Sequence, residues 1–316
     1  MDTTAASADL LGEALHFLRM SGTFYCRSEM TAPWGMELPA VEGGMSFHVI
    51  SRGRCWLDVR DGTPTLLQAG DFALVPHGDG HRLCDEPGTP STSISDLHHD
   101  MVSDHYALLR HGGGGEGTSL VCGAVRMEHP AAAYLSQALP GLILVRSGTG
   151  RRMDWLRSML DFMADEAREL RPGGETVITR IADVLVIQAI RAWIEEDPAA
   201  RTGWLGALRD ARIGRALAVV HRSPERPWTV AALAAEAAMS RSAFAARFSE
   251  LVGESPMHYV ARWRMQVAAS RLRELAARGL GETAEAVGYG SEASFHRAFK
   301  RLVGRTPGSV RRRVSA

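Results

Sequence analysis

The chain has 316 residues, of which 45% are hydrophobic and 23% are charged, so it is long enough for two or three ordinary globular domains. We find no run of about 18 apolar residues, as a membrane helix needs, and no basic and apolar leader. Its cysteines form no CxxC pair, so we expect reduced thiols, a cytoplasmic location and no membrane partner.

The formal net charge of zero conceals an uneven distribution. Residues 1–205 carry 17 basic and 27 acidic side chains, a net charge of −10, whereas residues 206–316 carry 19 and 9, a net charge of +10. A basic C-terminal third suits a polyanion such as nucleic acid, although an ordinary solvated basic face has the same composition.

Residues 1–150 are predicted to form one β-rich domain. Within residues 20–150, the runs FHVISRGRCWLDVR and TPTLLQAGDFALVP have the β-branched and aromatic content of strands and are bounded by turn residues. We therefore expect short strands joined by tight turns.

Residues 151–205 change to helical spacing. RMDWLRSMLDFMADEAREL and ETVITRIADVLVIQAIRAWIEE are separated by RPGG, which stops a helix, so we predict a helical connector. Its apolar stripe either supplies a dimer contact or belongs to the core of its own domain. The residues concerned are Trp155, Leu156, Met159 and Phe162.

An internal repeat is the strongest signal in residues 206–316. SRSAFAARFSELVGESP, residues 240–256, aligns without gaps with SEASFHRAFKRLVGRTP, residues 291–307. In each copy a serine can cap a helix, two phenylalanines and a leucine form one buried stripe, and glycine ends the helix before a proline. A short Ala-rich helix precedes each copy, which predicts helix-turn-helix units at about 229–252 and 282–303. Two copies with a central tight turn argue against an α-solenoid.

A single helix over residues 256–275 is predicted to link the two units. Val260, Trp263 and Val267 fall on its inner stripe. At ~1.5 Å per residue it spans about 30 Å, close to the ~34 Å of one duplex turn, so the two recognition helices could enter successive major grooves.

The outward faces of the two recognition helices differ in chemistry. The predicted DNA-binding residues of the first unit, which offer hydroxyl and methyl contacts, are Arg241, Ser242, Ala245, Ala246 and Ser249. Those of the second unit are Ser294, His296, Arg297, Lys300 and Arg301. Arg297 can contact guanine with two hydrogen bonds, whereas Lys300 and Arg301 favour phosphate. For Arg247 and Arg264 the alternative is a structural role, bracing helices through carboxylates.

The segment WTVAALAAEAAMSRSAFAARFSELVGESPMHYVARWRM, followed by ETAEAVGYGSEASFHRAFKRLVGRTP, resembles the AraC/XylS family of bacterial transcription regulators. The resemblance covers about residues 210–313. It implies that the first helix of each unit supports and the second reads double-stranded promoter DNA. An activator of this kind would also contact RNA polymerase.

The segment GDFALVPHGDGHRLCD, residues 70–85, resembles the second conserved motif of the cupin barrel, with Asp85 where asparagine is usual. Together with SFHVISRGRCWL and LVCGAVRMEHPAAAYLSQALPGLILV, it is similar to the cupin-type sensor domain of some AraC-type regulators. The resemblance implies an α+β chain, with an N-terminal cupin-like β-barrel followed by an all-α tandem helix-turn-helix domain. It also implies a homodimer whose geometry or docking responds to a small-molecule effector.

A small β-barrel can enclose one ligand. The candidates for its pocket wall are Trp34, Phe47, His48, Trp56 and His81, as apolar rings with a few polar tips. Plain barrel core is an equally good interpretation of Phe47 and Trp56.

A metal-dependent cupin enzyme with an accessory DNA-binding domain is the alternative function. The strand before Gly53 offers His48 without the HxH pair of such enzymes, so we expect no cofactor, no metal and no catalytic residue. A residual soft-metal site would use His81, Cys84 or Cys122 together with a second histidine. A third possibility, an architectural DNA binder without base preference, predicts an affinity set by salt alone.

Overall fold

The computed structural model describes residues 20–41, 43–59, 62–127, 129–147, 151–169, 171–274 and 279–312. These residues fall into two compact units. The barrel unit contains the described residues of Leu18–Met127 and Leu139–Glu196, and the helical unit contains those of Glu128–Ala138 and Asp197–Ala316.

Twelve strands in two sheets build the described part of the barrel unit. The strands are β1 Met20–Thr31, β2 Gly35–Leu38, β3 Gly44–Arg52, β4 Arg54–Val59, β5 Thr65–Gln68, β6 Phe72–Val75, β7 His81–Cys84, β8 Thr92–Ser93, β9 His99–Met101, β10 Tyr106–Gly112, β11 Gly117–Met127 and β12 Ile143–Val145. One sheet has the order β12-β6-β3-β11-β1-β10-β9 and the other has the order β5-β4-β7-β2-β8. The pairs β1–β10 and β2–β8 are parallel, and the other pairs are antiparallel.

A single hydrophobic core lies between the two sheets. Because successive side chains of a strand point to opposite faces, each strand contributes every second residue to it. Met30 and Leu120 enter the core from the seven-stranded sheet, and Leu57 and Leu83 enter it from the five-stranded sheet. This alternation decides which of the predicted pocket residues can face the interior.

Eleven α-helices occur among the described residues, and none of them is long and apolar enough to cross a membrane. They are α1 Ala132–Ala138, α2 Arg151–Glu169, α3 Gly174–Glu196, α4 Gly203–Arg209, α5 Ile213–Arg222, α6 Val230–Glu236, α7 Arg241–Val252, α8 Pro256–Glu274, α9 Leu280–Glu285, α10 Glu292–Val303 and α11 Pro307–Arg312. Short 3₁₀ turns cover Ile94–Asp96 and Pro198–Arg201.

The compact units differ from the predicted division at 150 and 205. Helices α2 and α3, predicted as a separate connector, pack on the seven-stranded sheet, and the Tyr106 hydroxyl donates to the Ala167 carbonyl at 2.8 Å. Residues 129–138, which were predicted as part of the barrel domain, belong instead to the helical unit. Both differences arise because apolar helix faces pack where a complementary surface lies, regardless of their position along the chain.

The two repeat copies fold into the same local structure. Ser240 caps α7 by accepting the N–H of Ala243 at 3.3 Å, and Ser291 caps α10 by accepting the N–H of Ser294 at 3.3 Å. Each helix ends at a glycine in the left-handed region, with φ +82° in one copy and +77° in the other. A side chain rarely adopts that conformation, which explains glycine at both positions.

Helix α8, predicted over 256–275, spans Pro256–Glu274 and joins the two copies. Its C-terminal half buries Met265 and Leu272 against Phe295 and Phe299 of the second copy. Of the predicted inner stripe, Val260 and Trp263 are buried and Val267 is half-buried. At ~1.5 Å per residue, the 19 residues of α8 extend about 28 Å.

A buried tyrosine anchors the N-terminal half of α8. Trp204 of α4 donates its indole N–H to the Tyr259 hydroxyl at 3.0 Å, and His221 Nε2 of α5 lies 2.6 Å from the same oxygen. Burial, with a further contribution from nearby His129, lowers the pKa of His221 to about 3. The neutral ring can therefore accept the Tyr259 proton, so one hydroxyl ties two helices to α8.

Tyr134 of α1 completes this aromatic cluster. Its ring centroid lies 5.6 Å from that of Trp204 and 5.1 Å from that of Tyr259. Arg262 of α8 donates to the Tyr134 hydroxyl at 2.9 Å and lies 4.2 Å from its ring centroid. A segment that leaves the barrel sheet between β11 and β12 thus becomes part of the packing around α8.

Replacing the first cap tests the repeat. Ser240→Ala is expected to lower the free energy of unfolding by about 1 kcal/mol, because one N–H at the start of α7 loses its acceptor. Ser242→Ala, at an equally exposed serine of the same turn that accepts no backbone N–H within the described residues, is the matched control and should change it by less than about 0.5 kcal/mol. Denaturant unfolding of the full chain measures both, and equal losses would contradict the capping role.

The histidine in the aromatic cluster predicts a loss of stability in acid. The unfolded chain binds a proton at His221 near its ordinary pKa of 6.5, whereas the folded chain resists protonation down to about 3, so folding stability falls as the pH drops through this window. His221→Gln should flatten the slope of unfolding free energy against pH by up to about 1.4 kcal/mol per pH unit. His296→Gln, at an exposed histidine, should keep the wild-type slope. An unchanged slope in His221→Gln would contradict the prediction.

Candidate nucleic-acid interface

Helix α7 presents a small and nearly neutral outward face. Of its predicted contact residues, those that are exposed are Arg241, Ser242, Ala246 and Ser249. Ala245 is only half-buried rather than exposed, because it lies beside Phe244, the first buried residue of the helix. The face therefore offers two hydroxyls, one methyl and one arginine at its N-terminal edge.

Arg247 of α7 is committed to the fold. Its guanidinium lies 3.2 Å from Asp210 and 3.1 Å from Glu250, so the structural alternative is the correct one for this residue. Burial raises the pKa of Asp210, but the backbone N–H groups of Ile213 and Arg212, together with Arg247, outweigh that effect and bring it below its ordinary value. Asp210 thus fixes α7 to the start of α5 as a charged group.

Arg264 of α8 is structural as well, but through different acceptors. Its Nε donates to the Pro224 carbonyl at 2.7 Å and its Nη2 donates to the Arg226 carbonyl at 2.7 Å. Backbone carbonyls therefore take the place of the carboxylates expected from the sequence. These bonds fix the loop that leads into α6.

Helix α10 presents a basic outward face. The exposed members of its predicted set are His296, Arg297, Lys300 and Arg301. Within the described ranges, no acidic side chain forms an ion pair with Arg297, Lys300 or Arg301. Ser294 is half-buried and donates its hydroxyl to the Ser291 carbonyl at 2.8 Å, so it serves the helix start.

The barrel interior holds a hydrogen-bonded chain of two histidines and a cysteine. His81 Nδ1 lies 2.9 Å from the Asp79 carbonyl, His81 Nε2 lies 2.7 Å from His48 Nε2, and His48 Nδ1 lies 3.0 Å from Cys122 Sγ. Cys122 and His48 are register partners on β11 and β3. The row of hydrogen bonds thus extends from the Asp79 carbonyl through His81 and His48 to Cys122.

The Asp79 carbonyl determines which atom carries the proton in each of these hydrogen bonds. A carbonyl only accepts, so His81 Nδ1 carries a proton and its Nε2 accepts from His48, which leaves His48 Nδ1 to accept the Cys122 thiol proton. Burial raises the pKa of Cys122 well above its ordinary value and lowers the pKa of His48, which His81 lowers further. A neutral thiol and neutral rings satisfy every bond.

Two residues of the predicted pocket wall face away from this interior. Phe47 packs on the outer side of the seven-stranded sheet, with ring centroids 6.1 Å from Tyr25 and 5.9 Å from Phe72. Trp56 alternates with the core residues Cys55 and Leu57 and so faces outward from the five-stranded sheet. Strand alternation thus removes both from the pocket. His48 and His81 face the interior, and Trp34 belongs to the core.

Of the alternative metal ligands His81, Cys84 and Cys122, the first and the last both contact a second histidine, His48, whereas Cys84 does not join them. His81 and Cys84 are three residues apart on β7 and therefore point to opposite faces. No group of three histidine, cysteine, aspartate or glutamate side chains within the described ranges is placed to hold a metal ion. Both ring nitrogens of His48 are engaged in opposite directions, which keeps them from converging on one cation.

Comparison with known proteins places this geometry in a family. Residues 9–195 match the family model described as Cupin, and residues 233–313 match the one described as Helix-turn-helix domain. A "Putative AraC-like transcription regulator" of Streptomyces antibioticus is 35% identical over 85% of this chain and 87% of its own.

Two further relatives extend over nearly the whole chain. The "RCS-specific HTH-type transcriptional activator RclR" of Escherichia coli is 30% identical over 97% of this chain and 98% of its own. The "HTH-type transcriptional regulator AlkR" of Acinetobacter baylyi is 29% identical over 95% of this chain and 97% of its own. All three are named as regulators and not as enzymes. The chain therefore belongs to the AraC-like family of DNA-binding transcription regulators with an N-terminal cupin domain.

Proposed function

We propose that two helix-turn-helix units, α6–α7 and α9–α10, read promoter DNA together, and that the barrel unit senses a small molecule that alters this binding. The shared scaffold supports the first part. Both second helices start at a serine cap, end at a left-handed glycine and bury two phenylalanines. In both cases this leaves the opposite side of the helix free for a groove.

In this proposal the second helix-turn-helix unit contributes more to base recognition than the first. The observation that carries it is the contrast between Arg247, which is held by two carboxylates, and the unpaired cations of α10. Arg297 makes the principal base contact, because a planar guanidinium fits the two acceptors of guanine in the major groove. Lys300 and Arg301 contact phosphates. Arg241 and the hydroxyls of α7 supply the first unit's weaker readout.

The remaining partners follow from the family and from the surface of the barrel unit. We propose a cytoplasmic homodimer, and one that contacts RNA polymerase if it acts as an activator. Phe162 of α2 and Val184 of α3 are 46% and 40% exposed, and a second copy would cover them. The side chains of Trp155 and Leu156, predicted for the same contact, lie outside the described residues.

We propose that the effector is a small organic molecule and that the regulator needs no cofactor. The wall predicted inside the barrel retains only Trp34, His48 and His81, and the two histidines are already bonded to each other. The ring nitrogens of both histidines are therefore already engaged, which directs attention to the outer side of the seven-stranded sheet.

Two of the basic residues of α10, Arg297 and Lys300, should behave differently. Arg297→Ala is expected to relax preference at one or two adjacent base pairs, with a loss of about 1–3 kcal/mol on the best site and little change on others. Lys300→Ala should weaken all sequences alike and lower the slope of log affinity against log salt by about one. Selection of sites from random DNA, followed by affinity measurements at several salt concentrations, checks both.

Arg247→Ala is the matched control, since its side chain serves the fold, and should keep the selected sequence. Uniform weakening by Arg297→Ala would assign that residue to the backbone. A wild-type protein without sequence preference would instead support the architectural binder.

A further inference from the structure

A cavity of about 150 Å³ opens on the barrel unit outside its two sheets. It lies between the loop before β10, the C-terminal half of α2 and the first turn of α3. Its walls include Val102, Tyr106, Glu166, Gly174, Glu175 and Ile178. The volume is about that of an engineered protein cavity that takes up a benzene-sized molecule.

Glu166 gives this cavity its chemistry. The residue is only 5% exposed, yet no side chain or backbone N–H in the described ranges donates a hydrogen bond to its carboxylate or pairs with it. Because it lines the cavity and no protein cation neutralises it, this carboxylate can accept a donor or pair with a cation that enters there. The open side of this carboxylate is the cavity itself.

Gly174 leaves room for that carboxylate. A Cβ built on this residue would lie 2.8 Å from Glu166 Oε1, so a larger residue would require the carboxylate to shift. The position also brings Glu166 to the first turn of α3, where the helix dipole favours a negative charge. The carboxylate thus lies against the backbone at the start of α3, on the cavity wall.

The other polar groups of the cavity are already engaged. Glu175 accepts the Ser103 hydroxyl at 2.5 Å, and Tyr106 donates its hydroxyl to the Ala167 carbonyl and so offers its ring face. Arg171, the cation at the rim, pairs with Glu169 at 2.5 Å. The lining thus combines two carboxylates, one neutralised guanidinium and an apolar surface.

We propose that this cavity binds a small organic cation, an amine whose ammonium group pairs with Glu166 and whose apolar body packs on Tyr106 and Ile178. This proposal rests on the effector role given to the barrel unit and supplies the chemical class of the effector. An ammonium supplies the donors and the positive charge that the carboxylate lacks, whereas a neutral molecule of the same shape supplies neither. Bound there, it would join α2, α3 and the seven-stranded sheet.

Calorimetric titration of the full chain with benzylamine, and in parallel with its neutral match benzyl alcohol, tests the inference. We expect saturable binding of benzylamine and at least tenfold weaker binding of benzyl alcohol. Glu166→Gln, which keeps the shape and removes the charge, should weaken benzylamine at least tenfold. Asp161→Asn, at an exposed carboxylate of the same helix outside the cavity lining, is the matched control and should keep the wild-type affinity.

A second variant covers the case in which Glu166→Gln fails to fold. Gly174→Ala moves the carboxylate with a single methyl group and should weaken benzylamine to a similar degree. The inference is overturned if neither benzylamine nor butylamine binds, if benzyl alcohol binds equally well, or if both variants bind like the wild type.

The same preparations are assayed for affinity to a selected DNA site. Sequence-specific binding without any amine binding would overturn the cavity assignment and leave the regulator intact. Amine binding with no preference among DNA sequences would overturn the regulator and leave the cavity assignment intact. An amine that changes the affinity for the DNA site would support both.

Discussion

The Tyr259 hydroxyl is the point on which the helical unit depends. It lies fully buried at the start of α8, where it receives the indole N–H of Trp204 and gives its proton to His221. Phe248 of α7 packs against the edge of the same ring at a centroid distance of 5.6 Å. The orientation of the first recognition helix relative to α8 is therefore fixed by one satisfied polar group within an aromatic cluster. Loss of either partner would leave a buried hydroxyl unpaired, which costs more than the hydrogen bond contributes.

Around that anchor, the two helix-turn-helix units share a scaffold and differ in charge. Their serine caps, buried phenylalanines and terminal glycines repeat, because each meets the same local requirement of a short capped helix. Their outward residues are instead the ones proposed to contact DNA. On α7 the one central arginine, Arg247, is neutralised by Asp210 and Glu250, so the first unit offers shape and hydroxyls. On α10 the cations Arg297, Lys300 and Arg301 are exposed without acidic partners among the described residues, which makes the outward face of this helix basic.

The parts that local physics determines were predictable from the sequence. The serine caps, the left-handed glycines and the α8 stripe follow from residues within a few positions of each other. The sequence did not separate Phe47 and Trp56 from the inward-facing residues, because a run of apolar residues does not tell which alternate side of a strand faces the core. Tyr134 was missed because its partners lie more than 60 residues away in the chain. The cavity at Glu166 was equally hidden, since three separate segments must fold before its carboxylate is buried.

The central claim is that both units hold one DNA molecule at once through a rigid α8 of about 28 Å. The direct measurement is the affinity of the full chain for its selected site after about five base pairs are inserted between the two subsites. This insertion turns one subsite by half a helical turn relative to the other. We expect at least a tenfold loss of affinity, with no loss when the same insertion lies outside the site. An affinity unchanged by the internal insertion would show that only one unit is bound, and would contradict the account.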